Sequence, residues 1–489
     1  MKQFVRRSLV MAGAAGALAA GAACSGDNPV DPGREPGAAV LTGNITQNRT
    51  LSADTVYTLR GIVQVLNGAA LTIPAGTRIT GSPIAETQNR VSALVIGRGS
   101  QIIANGTREA PIVMTSAAAA GDRFPGDWGG LVIVGQASSN RTGVVTVEGP
   151  SPVNQIQWSG GQLDDDNSGS LRFVRVEFAG AADVLNSELN SFSFYAVGRG
   201  TRLEYLQALK GLDDHFEWFG GTVDGRYLVS YESGDDHFDT AEGYRGRNQF
   251  LVALQTEFSR LRPGAVGEAS AEQSGFEADG CGHASGTCAQ GFNSTPYSMP
   301  VFANFTMVGP GPGVFTPRSG GDGGLGANIR RGTGGVWMNG IFARYPERAI
   351  SIFNPETFQR LQEDSLDIRN ILFAENAANH DVDNASSPVR YAQASRFADR
   401  NHRAHTVTAA SLFSSLPALG AAPTVATLDW RPAAGSPAAT GGLSTFTSRI
   451  QARVAGFPYG GGFQATSYVG AADPAGVRWW EGWTVYARN

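Results

Sequence analysis

The chain has 489 residues, of which 17% are charged, and a formal net charge of -5. This weak, slightly acidic balance excludes a basic nucleic-acid-binding surface and leaves room for one large solenoid or two to three ordinary domains. Glycine supplies 64 residues, as suits a chain that turns every few positions.

The amino terminus reads as a targeting segment. Lys2, Arg6 and Arg7 form a basic region and Ser8 to Ala20 an apolar one. Gly21-Ala-Ala-Cys24 then sets small residues before a cysteine, as a bacterial lipoprotein signal does. Residues 1–24 are therefore expected to be a signal peptide with Cys24 as the lipidation site. Arg6-Arg7-Ser8-Leu9-Val10 also resembles a twin-arginine export signal. Ser25 is neutral and carries no inner-membrane retention signal, so display on the outer membrane and cell surface is expected. Residues 25–44 read as a flexible tether, rich in Pro, Gly and Asp up to Gly37. No later stretch is apolar and long enough to span a bilayer, which leaves the lipid as the only membrane contact.

Beyond the tether, Leu71-x-Ile73-x-x-Gly76-x-x-Ile79 is matched 23 residues later by Leu94-x-Ile96-x-x-Gly99-x-x-Ile102. Alternating apolar residues describe a strand, and the glycine permits a corner. Asp127-Trp-Gly-Gly-Leu-Val-Ile-Val134 continues the pattern. Asp164-Asp-Asp-Asn-Ser-Gly169 resembles the start of a calcium loop. Arg175 stands where an EF-hand would carry its bidentate Glu, so an acidic turn is the preferred reading. A second repeat follows: Asp213-Asp-His-Phe-Glu217 returns as Asp235-Asp-His-Phe-Asp239, 22 residues on, and Tyr205-Leu as Tyr227-Leu. Two unrelated segments with periods near 22 are the signature of a β-solenoid. Cys281 and Cys288, in Cys-Gly-His-Ala-Ser-Gly-Thr-Cys, are expected to close a small disulfide loop, since with His283 they offer too few ligands for a metal. Asn304, Asn339 and Asn370 recur at one place in three similar segments and are expected to hydrogen-bond along the solenoid axis. Pro355 to Leu361 reads as a short helix. The terminal Trp479-Trp-Glu-Gly-Trp483-Thr-Val-Tyr486 reads as a cap over open strand edges.

Leu71-Thr-Ile-Pro-Ala-Gly-Thr77, Asp127-Trp-Gly-Gly130, the two Asp-Asp-His-Phe segments and Gly482-Trp-Thr484 together resemble a family of bacterial surface lipoproteins. The likeness spans most of residues 45 to 489 and implies a right-handed parallel β-helix similar to pectate lyases. It informs fold and location more than mechanism. The expected architecture is all-β: about a dozen coils over 45–390, then C-terminal coils and an irregular, aromatic-rich cap over 391–489.

Stacked coils lie about 4.8 Å apart. With Phe216 and Phe238 inward, alternation turns Asp213, His215 and Glu217 outward beside Asp235, His237 and Asp239. Such crowded carboxylates need a proton or a cation between them. Asp213, Asp214, Asp235, Asp236 and Asp239 are the expected ligands, with Glu217 and Glu242 as further ones. Oxygen donors favour Ca2+, and the two histidines leave zinc or manganese open. The competing reading is structural, with each carboxylate capping backbone N–H groups at a coil corner. Three functional classes follow. The first is a monomeric surface module binding a polysaccharide or another cell-surface component. The second is a polysaccharide lyase or glycoside hydrolase, with Lys210, Arg245 or Arg247 as base and Glu217 and Asp239 as catalytic carboxylates. The third is a surface metal-binding protein. Cys24→Ser is expected to shift the protein from the membrane to the soluble fraction on cell fractionation; unchanged membrane association would remove the anchor.

Overall fold

The computed structural model describes residues 37–83, 91–150, 152–183, 187–267, 270, 273–282, 288–313, 323–381, 397–406 and 408–486. Cys24, His283 and the expected boundary at 390 lie outside them. Alternating apolar residues drive the chain into short strands, as in Phe216–Phe219, where Phe216 and Trp218 enter the core. The strands assemble into a 15-stranded and a 10-stranded sheet, paired in parallel. This is a parallel β-helix, all-β apart from the helices Pro355–Gln362 and Ser448–Val454 among the described residues. Pairing begins at Gly37–Leu41, within the stretch read as tether, and runs to Arg403–His405. No helix among the described residues is long and apolar enough to cross a membrane.

The central repeat stacks as its spacing implies. Phe192, Phe216, Phe238 and Phe276 face one another in successive coils, with ring centroids 4.9, 5.3 and 5.6 Å apart. The earlier repeat behaves differently. Leu71 pairs with Ile102, and Leu94 with Val63 and Leu131, so Leu71 and Leu94 are not neighbours. The shared pattern is a strand, a glycine corner and a second strand, met at two different corners of the coil. Periodicity alone does not separate a repeated corner from a repeated coil.

One corner changes character along the solenoid. The strand Gly169–Glu177 pairs through its first half with Gln101–Asn105 and through its second with Ile112–Ser116. Its bend is the single residue Phe173, at φ 49°. Tyr205, Tyr227, Phe250, Asn304, Asn339 and Asn370 occupy this position in later coils, at φ from 53° to 65°. Asparagine tolerates this left-handed region and aromatic residues do not favour it. The aromatic ones gain from stacking: Phe173–Tyr205, Tyr205–Tyr227 and Tyr227–Phe250 lie 4.3, 4.5 and 5.1 Å apart. The asparagines do not form the expected ladder. Asn304 and Asn339 donate to Thr466 Oγ1, and Asn370 to the Gly441 carbonyl, so they fasten the C-terminal segment.

That segment is irregular and aromatic-rich, but it lies along the flank of the longer sheet instead of over its end. The outer face of this sheet presents Leu209, Val229, Tyr231, Val252 and Leu254, a stripe too apolar to leave in water. Trp483 stands edge-on to Phe173 and Tyr205, and Trp479 packs on Tyr227. Arg175 donates to the Trp483 carbonyl at 3.1 Å, and Gln207 exchanges hydrogen bonds with both backbone groups of Val485.

Phe238→Ala, in the middle of the inner stack, should cost about 3–5 kcal/mol, read as a lower denaturation midpoint. Val477→Ala, at a position 78% exposed, should stay within about 0.5 kcal/mol. Equal effects would mean that the stack is not what ties the coils together.

Candidate functional site

Successive central coils bring acidic residues to the same place. Asp213 and Asp214 lie on the turn before the strand Phe216–Phe219, and Asp235 and Asp236 on the turn before Phe238–Ala241. Because Phe216 and Phe238 point inward, Glu217 and Asp239 point outward and are direct register partners. They form the floor of a cleft of about 410 Å³, which Asp213, Asp214, Asp235, Asp236 and Glu242 also line. All seven carboxylates expected to hold a cation therefore converge. Trp158, Tyr195 and Phe219 form an aromatic wall, with Tyr195 and Phe219 stacked at 4.2 Å.

The histidines do not join them. His215 and His237 are buried, and the Nδ1 atoms of both bond the Ser230 hydroxyl, at 2.7 and 2.5 Å. His215 Nε2 accepts the Gly211 N–H. Burial pushes the His215 imidazole well below its ordinary range and His237 down to about 3. They are neutral, buried groups inside the corner, since the strand alternation that turns Glu217 outward begins only at Phe216. This removes the nitrogen donors that left zinc or manganese open.

The expected bases lie elsewhere too. Lys210 pairs with Glu257 at 2.7 Å, Arg245 with Asp164 at 2.9 Å, and Arg247 with Asp224 through Nε at 2.8 Å. None lines the cleft. Asp164 is taken up by Arg245 and by the backbone and hydroxyl of Ser138, so its carboxylate is engaged by residues of neighbouring segments. Cys281 and Cys288 are joined as a disulfide. The disulfide lies beside the cleft, with Cys288 Sγ 3.9 Å from Glu242 Oε2.

The cleft contains residues that sequence reasoning missed: Glu148, Glu277 and Asp279, and the three arginines Arg141, Arg330 and Arg331. A signal existed for two of them. Gly275-Phe-Glu-Ala-Asp279 is a third copy of the repeat, pairing in register with Phe238–Ala241, but it comes 38 residues later instead of 22. Glu148 and Arg141 come from a distant loop and carry no such mark. Each arginine is already ion-paired: Arg141 with Glu242 at 2.7 Å, Arg330 with Glu277 and with Asp279 at 2.8 Å, and Arg331 with Asp279.

Some carboxylates serve the backbone. Asp214 Oδ1 accepts the Asp236 N–H, and Asp236 Oδ1 the Ser274 N–H, both at 2.7 Å. Asn190 donates to Glu217 Oε2 at 2.5 Å. Asp239 is different: it is 8% exposed, and its Oδ1 has no hydrogen-bond partner. One oxygen each from Asp214, Glu217 and Asp239 lies within 4.8 Å of the others, as it does for Asp213, Asp214 and Asp235. Oxygens held at about 2.3–2.6 Å from one calcium ion have this spread, and an all-carboxylate set suits a hard cation.

The family comparison bears on this geometry. Residues 43–418 match a family model described as a pectate-lyase-like β-helix domain. The chain belongs to that family. No curated protein and no solved structure matches it. For this pectate-lyase-like β-helix the family accounts for the coil architecture, while the acidic cleft is read from its own residues.

Burial and then mutual repulsion hold Asp213, Asp214, Glu217 and Asp236 well above the ordinary carboxylate range, and Asp239 rises with them, first through burial and then through Glu277. Burial, opposed by Arg330, brings Glu277 to about 7. Raised folded-state values mean that the folded chain keeps protons the unfolded chain releases. Stability is then full below the unfolded values and falls as pH climbs through the folded ones. With divalent cations chelated, the melting temperature should drop between pH 4.5 and 7, and Glu277→Gln should flatten the upper part of that fall. A cation-free protein that gains stability over this range would contradict the assignment.

Proposed function

We propose that this protein is an exported, lipid-anchored β-helix of the cell surface whose cleft binds a divalent cation, calcium, and through it an anionic glycan or another cell-surface component. The observation that carries the reading is Asp239 Oδ1, buried without a partner among carboxylates of adjacent coils. Leaving a buried polar atom unpaired costs about 1–3 kcal/mol, and a cation between the coils removes that cost together with the repulsion. The aromatic wall of Trp158, Tyr195 and Phe219 gives a sugar ring a flat apolar face beside the ion. A carboxylated sugar would complete the coordination shell of the ion.

A second reading, a calcium-dependent polysaccharide lyase or a glycosidase, draws support from the description of the family. A lyase needs a base free to take a proton α to the uronate carboxylate. The three cleft arginines are all held by carboxylates, and Lys210, Arg245 and Arg247 are outside the cleft. This favours binding over a lyase's β-elimination.

Chelation should lower the melting temperature at pH 7.5, and calcium should restore it by mass action, by about 2.7 kcal/mol at one hundred times the dissociation constant. Asp239→Asn should abolish most of that response. Asp165→Asn, whose side chain is 86% exposed, should leave it intact. A melting curve indifferent to chelator and calcium would return the acidic repeat to a purely structural corner. Calcium-dependent release of unsaturated sugars from polyuronates would move the assignment to the lyase.

A further inference from the structure

We infer that the Cys281–Cys288 disulfide is a redox-sensitive clasp on the wall of the acidic cleft, and that its reduction weakens cation binding there. The inference rests on the cation-binding reading above and adds a means of regulating it. Cys281 follows the third acidic strand, Phe276–Asp279, after a single residue, Gly280. Cys288 forms an isolated antiparallel bridge with Arg141. The bond therefore ties the coil of Glu277 and Asp279 to the segment that carries Arg141, Val147, Glu148 and Trp158 into the cleft.

Other contacts converge on the same point. Asn140 Nδ2 donates to the Gly280 carbonyl at 2.7 Å, and its Oδ1 lies 3.8 Å from Cys288 Sγ. Arg141 pairs with Glu242 at 2.7 Å, and the Gly282 N–H donates to the same carboxylate. A Cβ on Gly282 would collide with Glu242 Oε1, so the backbone beside Cys281 is pressed against that acid. One atom each from Glu242, Cys281 and Cys288 lies within 4.8 Å of the others. Glu242 thus takes its position from both ends of the disulfide, through Gly282 beside Cys281 and through Arg141 opposite Cys288.

The bond is suited to local control. The cysteines are only seven residues apart, and closing so short a loop constrains the unfolded chain less than a long one would. Its main effect is on the order of the wall. A wall held in place lets a cation bind directly, whereas a released wall has to be ordered at each binding event. Reduction by a dithiol balances: two electrons and two protons pass to Cys281 and Cys288, which become thiols, while the dithiol closes to its own disulfide. Cys288 retains 7% exposure beside the cleft, which gives a small dithiol its approach.

The test uses the full mature chain, oxidised and after dithiothreitol, with alkylation and mass spectrometry reporting the thiols of Cys281 and Cys288. Calorimetric titration with calcium at pH 7.5 should give a dissociation constant about tenfold higher in the reduced chain. Reoxidation should restore the original value. The Cys281→Ser/Cys288→Ser double variant should bind as the reduced chain does, with no reductant present. Hydrogen exchange should quicken across residues 138–150 on reduction and stay unchanged in the strand Gly169–Glu177. Equal affinity and equal exchange in both forms would overturn the clasp and leave the cation site of the proposed function standing. A bond that dithiothreitol leaves intact in the folded chain would overturn its redox sensitivity. Calcium binding by neither form would overturn both readings. If the double variant fails to fold, as judged by circular dichroism, the reduced wild-type chain decides.

Discussion

In-register parallel stacking is the constraint on which the rest of this molecule depends. Each residue sits one strand spacing, about 4.8 Å, from its equivalent in the next coil, so any chemistry repeated in sequence is concentrated in space. Inside, this favours like with like: Phe192, Phe216, Phe238 and Phe276 stack into one column. Outside, the same register places Glu217 against Asp239 and Asp239 against Glu277. The fold that gains from stacking its phenylalanines has to accept stacking its carboxylates. At ordinary pH that arrangement holds only with protons, arginines or cations between the acids.

Two structural compensations are visible, and each has its own place. Arginines enter at one end of the cleft, where Arg330 and Arg331 clasp Glu277 and Asp279. Backbone N–H groups take part of the charge at the turns, through Asp214 and Asp236. In the middle of the row Asp239 Oδ1 has no hydrogen-bond partner, and burial raises that carboxyl well above its ordinary range. A site of this kind arises without a dedicated motif: it is the remainder left where the structural compensation runs out.

The other side of the solenoid handles a different consequence of stacking. A column of left-handed corner residues, aromatic in the central coils and asparagine later, marks where two strands fuse into one bent strand. The bend exposes an apolar outer face, and the C-terminal segment is laid along it, held by Trp479, Trp483 and the side chains of Asn304, Asn339 and Asn370. The flank is thereby filled, whereas the acidic cleft lies on the shorter sheet.

The chain by itself determined the kind of fold and the row of acids that matters. The 22-residue recurrence of Asp-Asp-His-Phe is local, uninterrupted and set by strand stacking, so the pairing of Phe216 with Phe238 and of Glu217 with Asp239 could be read from spacing alone. Tertiary structure decided what spacing does not encode. It turned His215 and His237 inward onto Ser230, because they lie at the corner where strand alternation has not yet begun. It separated Leu71 from Leu94, because a corner motif recurs within a coil as well as between coils. It brought Glu148, Arg141 and Arg330 into the cleft across loops whose length erases any period, and it took Lys210, Arg245 and Arg247 away by pairing them with acids on other faces. Periodicity fixes neighbours along the solenoid axis, whereas the loops that wall a cleft are placed by packing and charge pairing across it, which leave no repeat to read.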